Sequence, residues 1–376
     1  MQCRWRGVLL GIASVCFGSA APPPAASAPF FTGLGDLPGG AFQSQANDVS
    51  IDGGVVVGTS KGANGDEAFV WTAGTGIFSL GEGTALAVSA GGAVVAGRGF
   101  RWNASEGRVD LPRRPFPLSG FSFGNDVSAD GTVIVGTDTL PPFGENAARW
   151  TAGGGFGYEA VVLPPEAGSF TAFASLNGVS ADGSLSVLNT SGELGIPRES
   201  FRLHADGASD QIGVIADEVS AEGISPDGSL VVGNFFDASG REAFLWTGAL
   251  GLVSLGDLPG GAVAGFARAV APNKTVVGQG TTDQGLEAFV WDPILGLRNL
   301  RDDLIGRGVD LTGWTLTDAT GISFDGQTIV GTGVDPDGNH EGWLVALPEP
   351  GTAALVALGL GTLSAQRRRW VAGQPR

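Results

Sequence analysis

Val49-Ser50-Ile51-Asp52-Gly53-Gly54-Val55-Val56-Val57-Gly58 recurs in altered form along the chain. The later copies begin Val88-Ser89-Ala90-Gly91-Gly92, Val127-Ser128-Ala129-Asp130-Gly131, Val179-Ser180-Ala181-Asp182-Gly183, Ile224-Ser225-Pro226-Asp227-Gly228, Val270-Ala271-Pro272-Asn273-Lys274 and Ile322-Ser323-Phe324-Asp325-Gly326. Successive copies start 39, 39, 52, 45, 46 and 52 residues apart. A self-similar unit of that length is too small to cover its own apolar face, so neighbours must stack into a propeller or a solenoid. Asp-Gly before a β-branched run signals a tight turn, with the Asp side chain capping it and Gly supplying positive φ. The runs Val55-Val56-Val57, Val133-Ile134-Val135, Val231-Val232 and Ile329-Val330 read as strands buried on both faces.

Outward from the turn, a second strand is marked by Glu67-Ala68-Phe69-Val70-Trp71, Glu242-Ala243-Phe244-Leu245-Trp246 and Glu287-Ala288-Phe289-Val290-Trp291. Phe and Trp two residues apart share a face. Degenerate copies are Gly99-Phe100-Arg101-Trp102 and Ala147-Ala148-Arg149-Trp150, while Leu203 and Trp343 mark the departures in the fourth and seventh units. A Gly-x-x-x-Leu-Gly element supplies a third strand. Before the first unit stands an unattached Leu34-Gly35-Asp36-Leu37-Pro38-Gly39-Gly40, and the last unit ends at Ala346 without that element. The expectation is therefore an all-β, seven-bladed β-propeller closed by an N-terminal strand that completes the final blade. The alternative is a β-solenoid.

Composition agrees with a turn-dense β protein: 64 Gly and 21 Pro among 376 residues that are still 43% hydrophobic and 16% charged. A formal charge of −17, with Lys only at 61 and 274, excludes nucleic acid as a partner, since phosphate binding relies on clustered Lys and Arg.

Both ends carry targeting features. Arg4 and Arg6 precede the apolar residues 8–17 and then small residues, the layout of a secretory signal peptide, so residues 1–28 read as signal and linker, with signal peptidase as a partner. Cys3 and Cys16 fall within it, which leaves residues 29–347 without disulfides, zinc thiolates or a Cys nucleophile. At residues 348–376, Pro348-Glu349-Pro350 is followed by an apolar run, 351–365, and by Arg367-Arg368-Arg369. Fifteen residues of helix span about 22 Å, short of the roughly 30 Å bilayer core, and the arginines would stay on the cytoplasmic side. A short transmembrane helix is the expectation.

This tail resembles the PEP-CTERM sorting signal, with Pro348, Glu349, Pro350, Arg367, Arg368 and Arg369 as the motif. The resemblance implies processing by an exosortase-type membrane protease and release at the surface of a Gram-negative bacterium that makes extracellular polysaccharide. Residues 31–346 resemble the HAF family of probable extracellular repeats, although Glu stands where the family name implies His.

Candidate chemistry is sparse. His204 and His340 sit in no zinc or triad pattern. Asp335-Pro336-Asp337-Gly338-Asn339-His340-Glu341 alternates oxygen ligands, but its Gly is fourth rather than sixth, and a β-turn accounts for it. Asp52, Asp130, Asp182, Asp227 and Asp325 are read as turn residues and Trp71, Trp102, Trp150, Trp246, Trp291 and Trp343 as core, with Trp314 the better surface aromatic. Gly33-Leu34-Gly35 opens no amphipathic helix, so no nucleotide cofactor is implied. No catalytic, cofactor or metal residues are assigned. The expected function is a non-enzymatic, exported binding module whose variable loops, at 112–124, 140–145 and 164–171, meet extracellular polysaccharide or surface proteins in a biofilm setting. The alternative is a secreted glycan lyase or hydrolase using paired carboxylates at the central channel.

Overall fold

The computed structural model describes residues 29–113, 120–139, 144–152, 156–165, 171–192, 198–213 and 218–347. Signal segment, sorting motif, anchor helix and most of the three loops named above lie outside the described residues. Pro29–Leu347 is one compact unit.

Strand β1 (Phe30–Gly33) precedes the first repeat. That repeat folds as a sheet of β2 (Gly39–Val49), β3 (Val55–Gly62), β4 (Gly65–Thr72) and β5 (Gly76–Glu82), and the second as β6 (Ala85–Val88), β7 (Val94–Gly97), β8 (Phe100–Asn103) and β9 (Gly107–Asp110). Next come β10 (Ser122–Val127), β11 (Val133–Thr139), β12 (Glu145–Ala152) and β13 (Phe156–Ala160), then β14 (Thr171–Val179), β15 (Leu185–Gly192), β16 (Glu199–His204) and β17 (Ser209–Gln211). These two groups count as one eight-stranded sheet, joined only through the parallel pair Glu145 and Phe173. Two further four-stranded sheets are β18 (Glu218–Ile224), β19 (Leu230–Asp237), β20 (Gly240–Thr247), β21 (Gly251–Gly256), and β22 (Phe266–Val270), β23 (Val276–Thr282), β24 (Gly285–Asp292), β25 (Gly296–Asn299). Helix α1 (Leu300–Gly306), capped by Asn299, leads to β26 (Thr315–Ile322), β27 (Thr328–Val334) and β28 (His340–Ala346). β1 adds to the outer side of β28, pairing Phe30 with Ala346 and Gly33 with Trp343.

The N-terminal strand that pairs with the last sheet is thus four residues upstream of the one expected from the sequence. Leu34 continues the pairing only through its N–H, which donates to the Gly342 carbonyl, and Leu34 and Leu37 then pack into the core between the last sheet and the first. Each unit also has four strands rather than three: the Gly-x-x-x-Leu-Gly element is the outermost, and an inner strand precedes each Val-Ser turn.

The turn chemistry is as read from the sequence. Ser50 Oγ donates to Asp52 Oδ1 (2.6 Å), Gly54 N–H donates to the same oxygen (3.1 Å), and Val55 N–H donates to Ser50 Oγ (3.0 Å). The Ser–Asp bond recurs at Asp130, Asp182, Asp227 and Asp325. Where the sixth copy has lost Gly, Lys274 takes its left-handed conformation at φ 69°.

In five repeats the glycine that ends the Val-Val-Gly-like run has a packing reason, whereas Gly136 of the third faces Ala148. Gly58, Gly97, Gly233, Gly278 and Gly331 are register partners of Phe69, Phe100, Phe244, Phe289 and Trp343, whose side chains are fully buried. A Cβ at Gly58 would stand 2.8 Å from the Phe69 ring and 1.9 Å from the Gln45 carbonyl oxygen. Trp343 therefore occupies the Phe position of its unit, and Val345 the Trp position. Each such aromatic contributes about 1.5–3 kcal/mol by burial. Apolar clusters fill the spaces between successive sheets, for example Leu230, Val232 and Leu245 against Val270, Val276 and Phe289. One such cluster sets Val330 and Leu344 of the last sheet against Val49, Val56, Phe69 and Trp71 of the first.

Candidate functional site: the central channel

The inner strands β2, β6, β10, β14, β18, β22 and β26 bring equivalent residues to a common cavity, Asn47, Leu86, Asn125, Asn177, Glu222, Arg268 and Thr320, and β26 adds Asp318. The strands hold the equivalent residues three positions before the turn Ser, or Ala271 in the sixth unit. The deeper part encloses about 240 Å³ and the outer part about 390 Å³. Five four-stranded antiparallel sheets and one eight-stranded sheet turn their inner strands to one lumen, which is the arrangement of a β-propeller.

Most lumenal side chains also tie one sheet to the next. Asn47 Nδ2 donates to the Ala85 carbonyl (2.7 Å), Asn125 Nδ2 to that of Leu176 (2.9 Å), and Asn177 Nδ2 to that of Ala221 (3.3 Å). Thr320 Oγ1 donates to the Ala46 carbonyl (2.9 Å), across the junction of last and first sheets. Below them, main-chain bonds link the turns themselves: Ala90 N–H to Ala129, Ala129 to Ala181, Ala181 to Pro226, and Phe324 to Ile51. Pro226 and Pro272 have no N–H to give, so neither the fifth turn nor the sixth donates to the turn that follows it.

Two carboxylates sit in the lumen wall. Asp48 accepts from Val49 N–H (2.7 Å) and Val88 N–H (2.8 Å), and Asp126 from Val127 and Val179 N–H (2.7 Å each). Burial pushes Asp48 up to about 8, with the nearby charge of Asp126 adding to it and the amide bonds opposing it. Burial likewise raises Asp126 to about 7 against its two amide bonds. Both are partly exposed, and both line the cavity. Higher in the channel, Arg268 Nη2 contacts Asp318 Oδ2 and Gln279 Oε1, both at 3.2 Å, and burial holds Asp318 above the usual carboxylate range despite that arginine. Glu222 accepts from Ser220 Oγ (2.9 Å).

The residues singled out by sequence fall elsewhere. The turn aspartates lie exposed around the far end of the channel and are occupied by the bonds described above. Trp71, Trp150 and Trp246 are core residues, and Trp314 is half-buried against Phe31, ring centroids 5.0 Å apart. His204 pairs with Asp210 (3.0 Å), and His340 is exposed. Asp335 Oδ1 accepts from Asp337 and Asn339 N–H, a side-chain-capped turn. No group of three or more His, Cys, Asp or Glu among the described residues is arranged to hold a metal ion. Among those residues, too, no helix is long and apolar enough to cross a membrane. The lumenal residues were not anticipated, although the repeated Asn-Asp-Val-Ser of 47–50 and 125–128 carried the signal.

Comparison with protein-family models finds none that matches the sequence, and no curated protein matches it. Among solved structures, an oligogalacturonate lyase in complex with manganese is similar at TM-score 0.53 and 15% identity, over 88% of this chain and 99% of that one. TolB from Acinetobacter baumannii is similar at TM-score 0.42 and 10% identity, over 80% of this chain and 65% of that one, just under two thirds of its length. The β-propeller domain of the Trilobed protease from Pyrococcus furiosus is similar at TM-score 0.44 and 14% identity, over 69% and 81%. At these identities the likeness to the lyase is one of fold alone.

Proposed function

We propose that this chain is an exported, seven-bladed β-propeller, closed by its N-terminal strand, that serves at the cell surface or in the extracellular matrix as a non-enzymatic binding scaffold. The observation that carries the scaffold reading is the pairing of β1 with β28, together with the Phe324–Ile51 and Thr320–Ala46 bonds that tie the last repeat to the first. A ring so joined has no open end to cap, and it presents a lumen and variable loops on a rigid frame. The eight-stranded sheet counts as two blades, because a single residue pair bridges its halves.

Export rests on sequence. Residues 1–28 comprise the signal peptide cut by signal peptidase and a linker, and Pro348, Glu349, Pro350, Arg367, Arg368 and Arg369 mark the tail for an exosortase-type protease, with transient anchoring in the inner membrane. The partners in this reading are polysaccharide or proteins of the biofilm matrix. Against a lyase or hydrolase, both carboxylate oxygens of Asp48 and of Asp126 are occupied by backbone N–H groups, one on the following residue and one on the next inner strand, which leaves neither free to act on a substrate.

Fractionation of cells expressing the full chain or a form lacking residues 348–376, with the mass of the mature protein, tests the sorting. The full chain is expected at the surface or in the medium, shortened at both ends, and the truncated form is expected to change fraction. Identical fractions for the two forms would overturn the role of the tail.

A further inference from the structure

The channel wall is chemically uneven. Asn47, Asn125 and Asn177 each give an amide hydrogen to a carbonyl of the next sheet, and among the described residues no donor meets their amide oxygens. Arg268 bonds only through Nη2, and among the described residues its Nε has no acceptor and Asp318 Oδ1 no donor in hydrogen-bonding geometry. Unpaired polar groups in a wall are costly unless water or a ligand satisfies them. Both kinds of group are present, so a partner must both donate and accept.

Charge narrows the choice. Glu222 and Asp318 outnumber Arg268 in the outer part of the channel, which disfavours a polyanion, while the guanidinium set among the acids opposes a bare cation. Leu86 provides the apolar stretch of the same wall. The volume of about 390 Å³ lies at the lower end of small-ligand sites. We propose that the channel mouth binds a neutral, hydroxyl-rich ligand, a sugar unit of an uncharged polysaccharide, with Arg268 donating to its hydroxyls and Glu222 and the asparagine oxygens accepting from them. This deepens the polysaccharide-binding part of the function proposed above and rests on it, and it moves the binding site from the loops to the lumen. It also sets this channel apart from one suited to a uronate chain.

Isothermal titration calorimetry on the full chain tests it, with cellohexaose and mannohexaose as neutral probes, hexagalacturonate as the anionic one and calcium chloride alone as the cation control. At least one neutral hexamer is expected to bind with Kd below about 1 mM, and hexagalacturonate at least tenfold more weakly. Glu222→Gln and Arg268→Met are each expected to weaken binding about tenfold, the loss of a charge-assisted hydrogen bond. Thermal unfolding identifies a variant that fails to fold, and the isosteric Glu222→Gln decides the matter if Arg268→Met is such a case. Absence of binding by both neutral hexamers, tighter binding of hexagalacturonate, heat from calcium alone, or unchanged affinity in folded variants would each overturn the proposal. Neutral-sugar binding with unchanged variants would leave the polysaccharide reading standing and reject the channel as its site, whereas the fractionation result bears on export without touching the channel.

Discussion

Replacing Gly58 by Ala probes the logic of the repeat most sharply. Gly58 has ordinary strand geometry, so the substitution tests space rather than backbone conformation. The added methyl would fall 1.9 Å from the Gln45 carbonyl oxygen of the inner strand and 2.8 Å from two carbons of the buried Phe69 ring. Neither neighbour has room to retreat: Phe69 is fully buried, and β2 is pinned to the next sheet by Asn47 and Asp48. Overpacking of a filled core costs about 1–3 kcal/mol, and displacing a paired carbonyl as well places the expected loss at about 3 kcal/mol. Urea unfolding followed by tryptophan fluorescence measures it. Adding Phe69→Leu to Gly58→Ala removes the ring clash but not the carbonyl clash, so the double variant is expected to lose less than the sum of the two singles. A loss below about 0.5 kcal/mol for Gly58→Ala would refute the argument that these glycines are kept to admit the aromatic ring. The fourth repeat sets its limit, because there Leu188 faces Phe201 and both are fully buried, so the position accepts a side chain where the surroundings have adapted to it.

Lys274→Gly removes the left-handed strain at φ 69° and is expected to stabilise by about 0.5–1 kcal/mol, read as a small rise in Tm; a fall would mean that the lysine side chain contributes more than its backbone costs. The channel carboxylates set a pH dependence. Asp48 and Asp126, with folded pKa values of about 8 and about 7 against an unfolded value near 4, hold protons in the folded state that the unfolded state releases, so their contribution is full below about pH 4 and is lost as pH rises toward 8. Asp182, lowered to about 2 chiefly by the Ser180 hydroxyl, acts in the opposite sense: its contribution is present above about pH 4 and disappears as pH falls through 2. Tm is therefore expected to fall from pH 5 to pH 8, and the double variant Asp48→Asn, Asp126→Asn to flatten that slope; an equal slope in both proteins would contradict the burial argument. Ser225→Ala deletes the hydroxyl that donates to Asp227 and accepts from Leu230 N–H, and about 1–2 kcal/mol should be lost in urea unfolding.

Repeats and turns were legible because they rest on local chemistry. Ser-x-Asp-Gly can be recognised from hydrogen-bonding capacity and positive φ alone, and Val-Val-Gly from its β-branched residues. The inner strands were not. β2 reads Gly39-Gly40-Ala41-Phe42-Gln43-Ser44-Gln45-Ala46-Asn47-Asp48-Val49, poor in β-formers because one side faces a polar lumen, so propensity hides the strand that builds the site. Asn47 and Asn125 were marked only by their shared Asn-Asp-Val-Ser, and Glu222 and Arg268 carried no mark of their own: their meaning arises only when residues from successive repeats converge. The closing strand was misplaced by four residues because Leu34-Gly35-Asp36 matches the end of an outer strand, whose paired part, Phe30-Phe31-Thr32-Gly33, has little motif character. Helix α1 lies in an insertion between the sixth and seventh repeats and has no counterpart in the repeat pattern.

Closure can be read directly from amide hydrogen exchange. Mass spectrometry of the peptide covering residues 30–37, beside that covering 340–346, reports whether the first strand is bonded into the last sheet, as the Leu34 N–H to Gly342 carbonyl bond requires. Closure predicts that the bonded amides of the two peptides stay protected together and open only with the whole domain. Free exchange throughout 30–37 while 340–346 stays protected would contradict it.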